Sequence, residues 1–287
     1  MFNAAQNTPD GVLTQSFATT IGQTYVLSFD LGATAYQSTD EQRMQVTVQG
    51  DNVLLSQTAS VFAQGTGTWY EHKSFTFVAD SLTTTLTFQD ISPTSFDIDL
   101  LLDNVRVTPL LRLISAVSRM MHGNLGPFDV NLPLTGSPGV ECRTPHDAQD
   151  ANHTLVYTVV FAFNNNIVSG NAIVSGTGSV FEISTPGDKT MTVKLSGVGN
   201  MQQLTVTLSN VTDEFSQVLP DTPVSVDILI GDTSGNRLVN STDVSQTQSE
   251  SGHAVTSFNF RKDVNANGLI NSTDVSIVQS KSGTGLP

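Results

Sequence analysis

The chain has 287 residues, enough for two or three domains, and its 26 acidic against 12 basic side chains give a formal net charge of −14. This acidic balance argues against nucleic acid as a partner, because nucleic-acid binding requires basic patches. The single cysteine excludes an intrachain disulfide, and no apolar run reaches the roughly 18 residues that a transmembrane helix needs. We expect a modular protein that works outside the cell or at the cell surface.

Residues 1–109 are predicted to form a β-sandwich. Apolar and polar side chains alternate with a period of two, which is typical of strands that bury one face. Turn residues such as Gly50 and Gly65 separate the alternating runs, and no helical pattern interrupts them. The runs cover residues 12–18, 24–31, 44–49, 73–79, 84–90 and 101–107. Many short strands with turn signals between them indicate two packed sheets.

This first domain resembles the galactose-binding-like jelly rolls found among carbohydrate-binding modules. The resemblance rests on Gly22-Gln-Thr-Tyr-Val-Leu-Ser-Phe-Asp-Leu-Gly, then Trp69-Tyr followed by Phe75-Thr-Phe, then Leu102-Asp-Asn-Val-Arg-Val. It implies binding to polysaccharide and, at Asp103 in the last strand, a structural calcium ion. Such modules usually begin with an earlier strand of Asn-Gly-x-Phe-Glu type. That strand is missing here, so we expect the domain to be truncated at its N-terminus.

Three aromatic side chains are candidates for sugar binding: Tyr36, Trp69 and Tyr70. Proteins hold sugars with exposed aromatic faces and with amide and carboxylate groups that bond the hydroxyls. Tyr36 lies in a predicted polar loop and is the better loop candidate. The only tryptophan precedes a predicted strand and is more often a core residue. Asp97 and Asp99 share a strand face, but a pair at this spacing indicates a turn or an ion site rather than a glycosidase.

Residues 110–228 are predicted to form a second β-sandwich that is immunoglobulin-like in outline. About seven apolar runs fit a domain of about 110 residues. Residues 110–119 fit either a connecting strand or a short helix. A cysteine and two histidines lie close together in the sequence at Cys142, His146 and His153. These residue types could form a nucleophile–base pair or a zinc site, but their spacing matches neither motif. A polar loop with a half-buried thiol is therefore the favoured interpretation of this segment.

Two near-identical dodecamers near the C-terminus carry the strongest functional signal. Asp232-Thr-Ser-Gly-Asn-Arg-Leu-Val-Asn-Ser-Thr-Asp243 is followed 31 positions later by Asp263-Val-Asn-Ala-Asn-Gly-Leu-Ile-Asn-Ser-Thr-Asp274. Oxygen-bearing side chains recur at positions 1, 3, 5, 9 and 12, and a backbone carbonyl at position 7 completes the set that a hard divalent cation requires. One copy alone could be an ordinary polar turn, but two copies in register predict two calcium sites.

The predicted calcium ligands come from equivalent positions of the two loops. In the first loop they are Asp232, Ser234, Asn236, Leu238 through its carbonyl, Asn240 and Asp243. In the second loop they are Asp263, Asn265, Asn267, Leu269 through its carbonyl, Asn271 and Asp274. Position 12 is Asp rather than the Glu of an EF-hand. Two carboxylates per loop favour the weaker affinity of extracellular calcium sites.

The loops differ at position 6, where the EF-hand pattern has glycine. The second loop has Gly268 there, whereas the first has Arg237. An arginine at this position must accept a left-handed backbone at a cost of about 1–2 kcal/mol. It also brings a positive charge close to the ion. We therefore predict that the second loop binds calcium more tightly than the first.

The tandem resembles the type I dockerin domain, through Gly231-Asp232, the two Asn-Ser-Thr-Asp segments and the duplicated Asp-x-Asn-x-Asn-Gly style of loop. The resemblance covers residues 231–287. It implies two loop–helix units that attach polysaccharide-degrading proteins to cohesin modules, with partner choice at Ser241, Thr242, Ser272 and Thr273. The following helices lack the family's Leu-Leu and Lys-Arg pairs, and the first has almost no apolar stripe. The chain's own Ig-like domain is therefore as good a docking partner as an external cohesin-like protein.

Taken together, the patterns predict a mainly β protein with three domains. A jelly-roll-like sandwich (1–109) precedes an Ig-like sandwich (110–228) and a small α-helical, dockerin-like calcium module (229–287). The favoured function is non-catalytic attachment to a cohesin-like partner or to polysaccharide. One alternative is the C-terminal part of a polysaccharide hydrolase whose catalytic domain lies upstream. Another is a structural surface or filament protein whose sheet edges pair between copies.

Overall fold

The structure, a computed structural model, describes residues 9–145 and 155–286. These residues form seventeen β-strands and two α-helices, which confirms the prediction of a mainly β fold. The chain divides into two compact units, of which the first ends at Leu110 and the second begins at Leu111. Across the described residues, no helix combines the length and apolar character needed to cross a membrane.

The first unit consists of two antiparallel sheets around one apolar core. Its strands are β1 (Val12–Ala18), β2 (Thr24–Ser38), β3 (Glu41–Gln49), β4 (Val53–Phe62), β5 (Gly65–Val78), β6 (Thr83–Asp90) and β7 (Ile98–Pro109). One sheet has the order β1-β6-β3-β4 and the other β5-β2-β7. Leu27, Phe29 and Leu31 of β2 and Met44 and Val46 of β3 are fully buried in the shared core. Their period of two reflects the alternation of strand side chains.

The second unit contains a sandwich of two five-stranded sheets. Its strands are β8 (Leu113–Met121), β9 (Pro127–Leu132), β10 (Gly139–Glu141), β11 (Val156–Phe163), β12 (Ile167–Ser175), β13 (Ser179–Ser184), β14 (Thr190–Ser196), β15 (Gln202–Asp213), β16 (Val218–Leu219) and β17 (Thr222–Ile228). One sheet has the order β10-β17-β15-β12, with β16 beside β15, and the other β13-β14-β11-β8-β9. The pair β10–β17 is parallel. Residues 113–121 form a strand, which decides between the two interpretations of that segment.

Two helices follow the sandwich, each at the end of one acidic loop. Both begin with a capping box. The side chains of Asn240 and Asn271 accept from backbone N–H groups of the first turn, and Asp243 and Asp274 at the third helical position accept from the cap residues' own N–H groups. The helices are α1 (Ser241–Glu250) and α2 (Ser272–Lys281).

A small apolar cluster joins the helix pair to the second sandwich. Leu229, Val239, Val264 and Val278 of the C-terminal region pack with Val140 of β10. The apolar stripe of α1 is poor, so we attribute its helical state to its cap and to its packing against α2 rather than to propensity. β17 ends four positions before the first loop begins, so the helix pair follows the sandwich without a linker.

Candidate metal-binding loops and aromatic face

The first acidic loop is organised around its two terminal carboxylates. Asp232 Oδ1 accepts from the N–H groups of Gly235 at 2.8 Å and Asn236 at 3.1 Å, and its Oδ2 accepts from the Arg237 N–H at 2.7 Å. Asp243 Oδ1 accepts from the Ser234 N–H at 2.9 Å. The loop backbone therefore wraps around the carboxylates at positions 1 and 12.

The second loop repeats this arrangement. Asp263 Oδ1 accepts from the Asn267 N–H at 3.1 Å, and its Oδ2 accepts from the Gly268 N–H at 2.8 Å. Asp274 Oδ1 accepts from the Asn265 N–H at 3.2 Å. Burial raises the pKa of Asp274, and the nearby charge of Asp263 acts in the same direction. Both carboxylates of the second loop therefore accept from its own backbone, as in the first loop.

The other predicted ligands hold the turns of the loops. Asn236 and Asn267 at position 5 accept from the backbone N–H two residues later, at 3.0 and 2.9 Å. Ser234 donates its hydroxyl to Asp232 Oδ1 at 3.1 Å, and Asn265 Oδ1 accepts from the Asn267 N–H at 3.1 Å. The remaining predicted ligands are the helix caps Asn240 and Asn271 and the exposed position-7 residues Leu238 and Leu269.

The donor set fits a hard divalent cation. Asp232, Asp243, Asp263 and Asp274 each have an exposed fraction of 0%. Within residues 9–145 and 155–286, no lysine or arginine forms an ion pair with any of them. Buried carboxylates without a positive partner carry a large desolvation penalty. The described residues contain no group of three or more His, Cys, Asp or Glu side chains placed to hold a metal ion, so each loop offers only its two carboxylates. Amide and carbonyl oxygens would therefore complete a calcium shell here.

Position 6 is left-handed in both loops, as the sequence predicts. The φ angle is 71° at Arg237 and 88° at Gly268. The Arg237 side chain points to the sandwich, where its Nε lies 3.0 Å from Oδ2 of the buried Asp227 on β17. Among the described residues it forms no ion pair with a loop carboxylate. The Arg237 and Asp227 groups are not aligned as a hydrogen bond, so the contact is an ion pair. Arg237 therefore balances a buried charge of the sandwich, a role that the sequence did not reveal.

Hydrogen bonds attach the first loop and the turn before the second loop to the sandwich. Arg261 donates to the carbonyls of Val140 at 2.9 Å and Asp232 at 2.9 Å. The Gly231 N–H donates to the Cys142 carbonyl at 2.9 Å, and the Cys142 thiol lies 3.6 Å from the Arg261 carbonyl. Burial raises the pKa of that thiol, which is 0% exposed. The region of the helix pair is thus hydrogen-bonded to β10 and to Cys142, which directly follows that strand.

A fully buried polar chain links the sandwich to the second loop. Arg143 donates from Nε and Nη2 to Glu141 at 2.8 and 2.7 Å, and Ser118 donates its hydroxyl to Glu141 at 2.5 Å. Arg143 Nη1 lies 3.1 Å from His122 Nε2, and His122 Nδ1 lies 2.8 Å from Asp263 Oδ2. The sequence does not reveal these partners of Asp263, because His122 and Asp263 are 141 positions apart.

The charges within this chain compensate one another. Burial alone would raise the pKa of Glu141, but the Arg143 guanidinium and the Ser118 hydroxyl outweigh it, and the net shift is downward. The Tyr157 hydroxyl donates to the Arg143 carbonyl at 3.0 Å, and burial raises its pKa well above the ordinary value. Glu141 and Arg143 therefore form a stable buried ion pair.

The four predicted partner-binding residues are exposed. Ser241 and Thr242 occupy the first turn of α1, and Ser272 and Thr273 occupy the first turn of α2. Each pair immediately precedes the buried Asp of position 12. The loops therefore present equivalent hydroxyl pairs to solvent.

The aromatic candidates of the first unit occupy three different environments. Tyr36 is 61% exposed and lies inside β2 rather than in a loop, because pairing with β5 continues to Ser38. Trp69 lies within β5 rather than before it and packs partly buried against the core. Tyr70 is 51% exposed and covers Gly32, where an added Cβ would stand 2.6 Å from its ring.

Tyr36 borders a pocket of about 390 Å³ at the start of β7. Its walls include Thr34, Asp97 and Asp99, and burial raises the pKa of Asp99. Asp103 is exposed on β7 opposite Asp30, and its Oδ1 accepts from the Asn104 N–H at 2.7 Å. The pocket combines an aromatic ring with hydroxyl and carboxylate groups.

His146 and His153 of the cysteine–histidine segment lie outside the described residues. Comparison with protein-family models found no match, and comparison with curated proteins found none either. A solved structure described as "CBM4 structure and function" is similar to part of the chain, with 16% identity and a TM-score of 0.25. The similarity covers 34% of this chain and 60% of that one, less than two thirds of its length.

Proposed function

We propose that the two loops of the second unit bind one calcium ion each, and that these ions hold the helix pair in the form that attaches the protein to a partner. The observation that carries this proposal is the pair of fully buried carboxylates in each loop, at positions 1 and 12. A bound calcium ion supplies the positive charge that these pairs lack. Binding energy then becomes folding energy of the loops.

In this proposal, one group of loop residues holds the ion and a second group forms the surface that contacts the partner. The carboxylates of positions 1 and 12, the side-chain oxygens of positions 3, 5 and 9 and the backbone carbonyl of position 7 would hold the ion. The backbone N–H groups orient the carboxylates before the ion arrives. Two carboxylates per loop suit the dissociation constants of about 10⁻⁴–10⁻³ M that extracellular calcium modules show. The exposed hydroxyls of Ser241, Thr242, Ser272 and Thr273 are the proposed contact surface for a cohesin-like protein.

Calorimetry of the full chain with calcium tests the sites. We expect two equivalents for the unmodified protein and one for either Asp232→Ala or Asp263→Ala, with the tighter site lost in Asp263→Ala. Asp51→Ala, an exposed carboxylate of the first unit, is the matched control and should retain both. An unmodified chain that takes up no calcium at millimolar concentration contradicts the proposal.

Carbohydrate binding by the first unit is a second candidate function. The pocket beside Tyr36 supports it, because an exposed aromatic ring stands next to two carboxylates in a concave site. Such a site would suit a terminal sugar or short oligosaccharide rather than a catalytic reaction. An immobilised-polysaccharide binding assay should show a loss in Tyr36→Ala. Phe62→Ala, which removes another exposed aromatic ring of this unit, should not change binding.

A further inference from the structure

The hairpin turn between β8 and β9 lies directly against the second loop. Gly123 in this turn donates its N–H to the Ala266 carbonyl at 3.0 Å. A Cβ at Gly123 would stand 2.4 Å from the Asn267 carbonyl oxygen, so only glycine allows this approach. Ala266 belongs to the apolar core of the sandwich. The second loop therefore packs into the apolar core of the sandwich through Ala266 and is hydrogen-bonded to the β8–β9 turn.

His122, which precedes Gly123, has its ring orientation and tautomer fixed by its two neighbours. A guanidinium offers only donors, so Nε2, 3.1 Å from Arg143 Nη1, must accept. Nδ1 therefore carries the proton and donates to Asp263 Oδ2 at 2.8 Å. The ring is held edge-on by Phe128, with centroids 5.0 Å apart. Glu141 fixes Arg143 in turn through two hydrogen bonds.

The first loop has no equivalent of this arrangement. The hydrogen bonds recorded for the Asp232 carboxylate, within the described part of the chain, all come from its own loop: Ser234, Gly235, Asn236 and Arg237. Only in the second loop does a side chain from the sandwich reach the position-1 carboxylate. The two loops share a sequence pattern but differ in what orients their first ligand.

We infer that His122 is a positioning residue for the cation of the second loop. This inference rests on the proposed calcium function and names a residue of the sandwich that controls it. By donating to Asp263 Oδ2, His122 fixes the carboxylate in one orientation, in which the ion would share Oδ1 with the Asn267 N–H. Outer partners of this kind change metal affinity by about 10–100-fold. Calcium in the second loop and attachment of the helix pair to the sandwich are then coupled events.

Substituting His122 by asparagine or by glutamine, both neutral amides, distinguishes the positioning role from a purely packing role. The Asn side chain can place an N–H where Nδ1 stands, whereas Gln reaches the Nε2 position and leaves Asp263 without its donor. By calorimetry on the full chain, we expect His122→Gln to lose about 10–100-fold in affinity at one calcium site and to keep the other. His122→Asn should recover most of that loss. His253→Phe, which changes an exposed histidine of the same region, is the control.

The single thiol supplies a readout that does not measure affinity. Cys142 is 0% exposed and bonded to the Arg261 carbonyl, so a thiol reagent reaches it only when the helix pair leaves the sandwich. Saturating calcium should slow labelling in the unmodified chain and in His122→Asn, but less in His122→Gln. Equal affinities and equal labelling of folded Asn and Gln variants overturn the inference. Failure of the unmodified chain to bind calcium overturns the proposed function instead.

Discussion

The two acidic loops have nearly the same sequence but different surroundings. The first keeps its position-1 carboxylate within its own backbone and sends Arg237 away to the buried Asp227. The second shares its position-1 carboxylate with His122 and places Ala266 in the sandwich core. An internal repeat therefore need not mean equal energetics, because tertiary neighbours act on each copy separately. The following experiments change one side of this comparison at a time.

The largest effect is expected from breaking the buried ion pair that supports the second loop. Arg143→Met leaves Glu141 charged and unpaired, which should destabilise the second unit by about 3–5 kcal/mol. Arg119→Met, which breaks an exposed pair with Asp129 on the same sandwich, should cost at most about 1 kcal/mol. Urea unfolding of the full chain measures both. Similar losses in the two variants would contradict the assigned burial of the pair.

Acid should act on the same pair. The pKa of Glu141 is lowered in the folded state, so the unfolded chain binds its proton at higher pH than the folded chain does. Its stabilising contribution is present above the ordinary glutamate pKa and is lost as pH falls towards the folded value. Unfolding midpoints of Glu141→Gln should therefore depend less on pH in this range. Glu182→Gln, at an exposed pair with Lys194, should keep the dependence of the unmodified protein.

Calcium removal should affect the second unit selectively. At a calcium concentration 100 times the dissociation constant, one site stabilises the folded state by about 2.7 kcal/mol. A chelator should therefore lower the melting temperature of the second unit. Hydrogen exchange by mass spectrometry distinguishes the units, and β2 and β3 of the first unit serve as the internal reference. If the hydrogen-exchange protection of β10, α1 and α2 is unchanged after chelation, the proposal that bound calcium holds the helix pair in place is wrong.

Two glycines of one turn provide a matched test of the loop contact. Gly123→Ala forces a Cβ against the Asn267 carbonyl, whereas Gly126→Ala, also at positive φ, meets nothing within 4 Å. Gly123 has a φ of 51°, inside the left-handed helical region, whereas Gly126 has a φ of 107°, outside it, so Gly126→Ala carries the larger backbone strain. Gly123→Ala should cost a further 1–3 kcal/mol, roughly, for overpacking. Its calcium affinity should fall at the second loop only. Equal calcium affinities of the two variants at the second loop would show that the close approach is unimportant for that site.

The smallest effect concerns position 6 of the first loop. Arg237→Gly removes left-handed strain of about 1–2 kcal/mol but leaves Asp227 without its cation. In an Asp227→Asn background that loss disappears, so the glycine should stabilise the protein more than in the unmodified background. A double-mutant cycle by urea unfolding measures the difference. Strict additivity would mean that the ion pair contributes nothing.

Much of this fold can be read from the sequence, because burial in a strand imposes a period of two. Strands such as β3 and β14 show it clearly, with every second residue buried. The caps and the two acidic loops are also local patterns. Residues 65–72 of β5 were missed because none of their side chains is buried, and the half-buried positions 65 and 67 are glycines, which leaves no apolar–polar alternation in the sequence.

The supporting side chains of the site could not be predicted. Glu141, Arg143 and His122 resemble ordinary charged or polar residues in the sequence, and they meet Asp263 only after two sheets and a helix pair have packed. The ion pair of Arg237 with Asp227 was missed for the same reason. Local repeats indicate the candidate ligands, whereas partners that are distant in the chain require the tertiary structure.

The direct passage from β17 into the first loop has a mechanical consequence. The backbone leaves the sheet at Ile228 and enters the loop at Asp232 with no slack between them. β17 is hydrogen-bonded along both edges, to β15 and to β10. A force that pulls on the helix pair would therefore act on the hydrogen bonds of both strand pairs, β17–β15 and β17–β10, at the same time. A helix pair joined to the sheet in this way would transmit tension into the body of the domain, because no flexible linker lies between them to stretch.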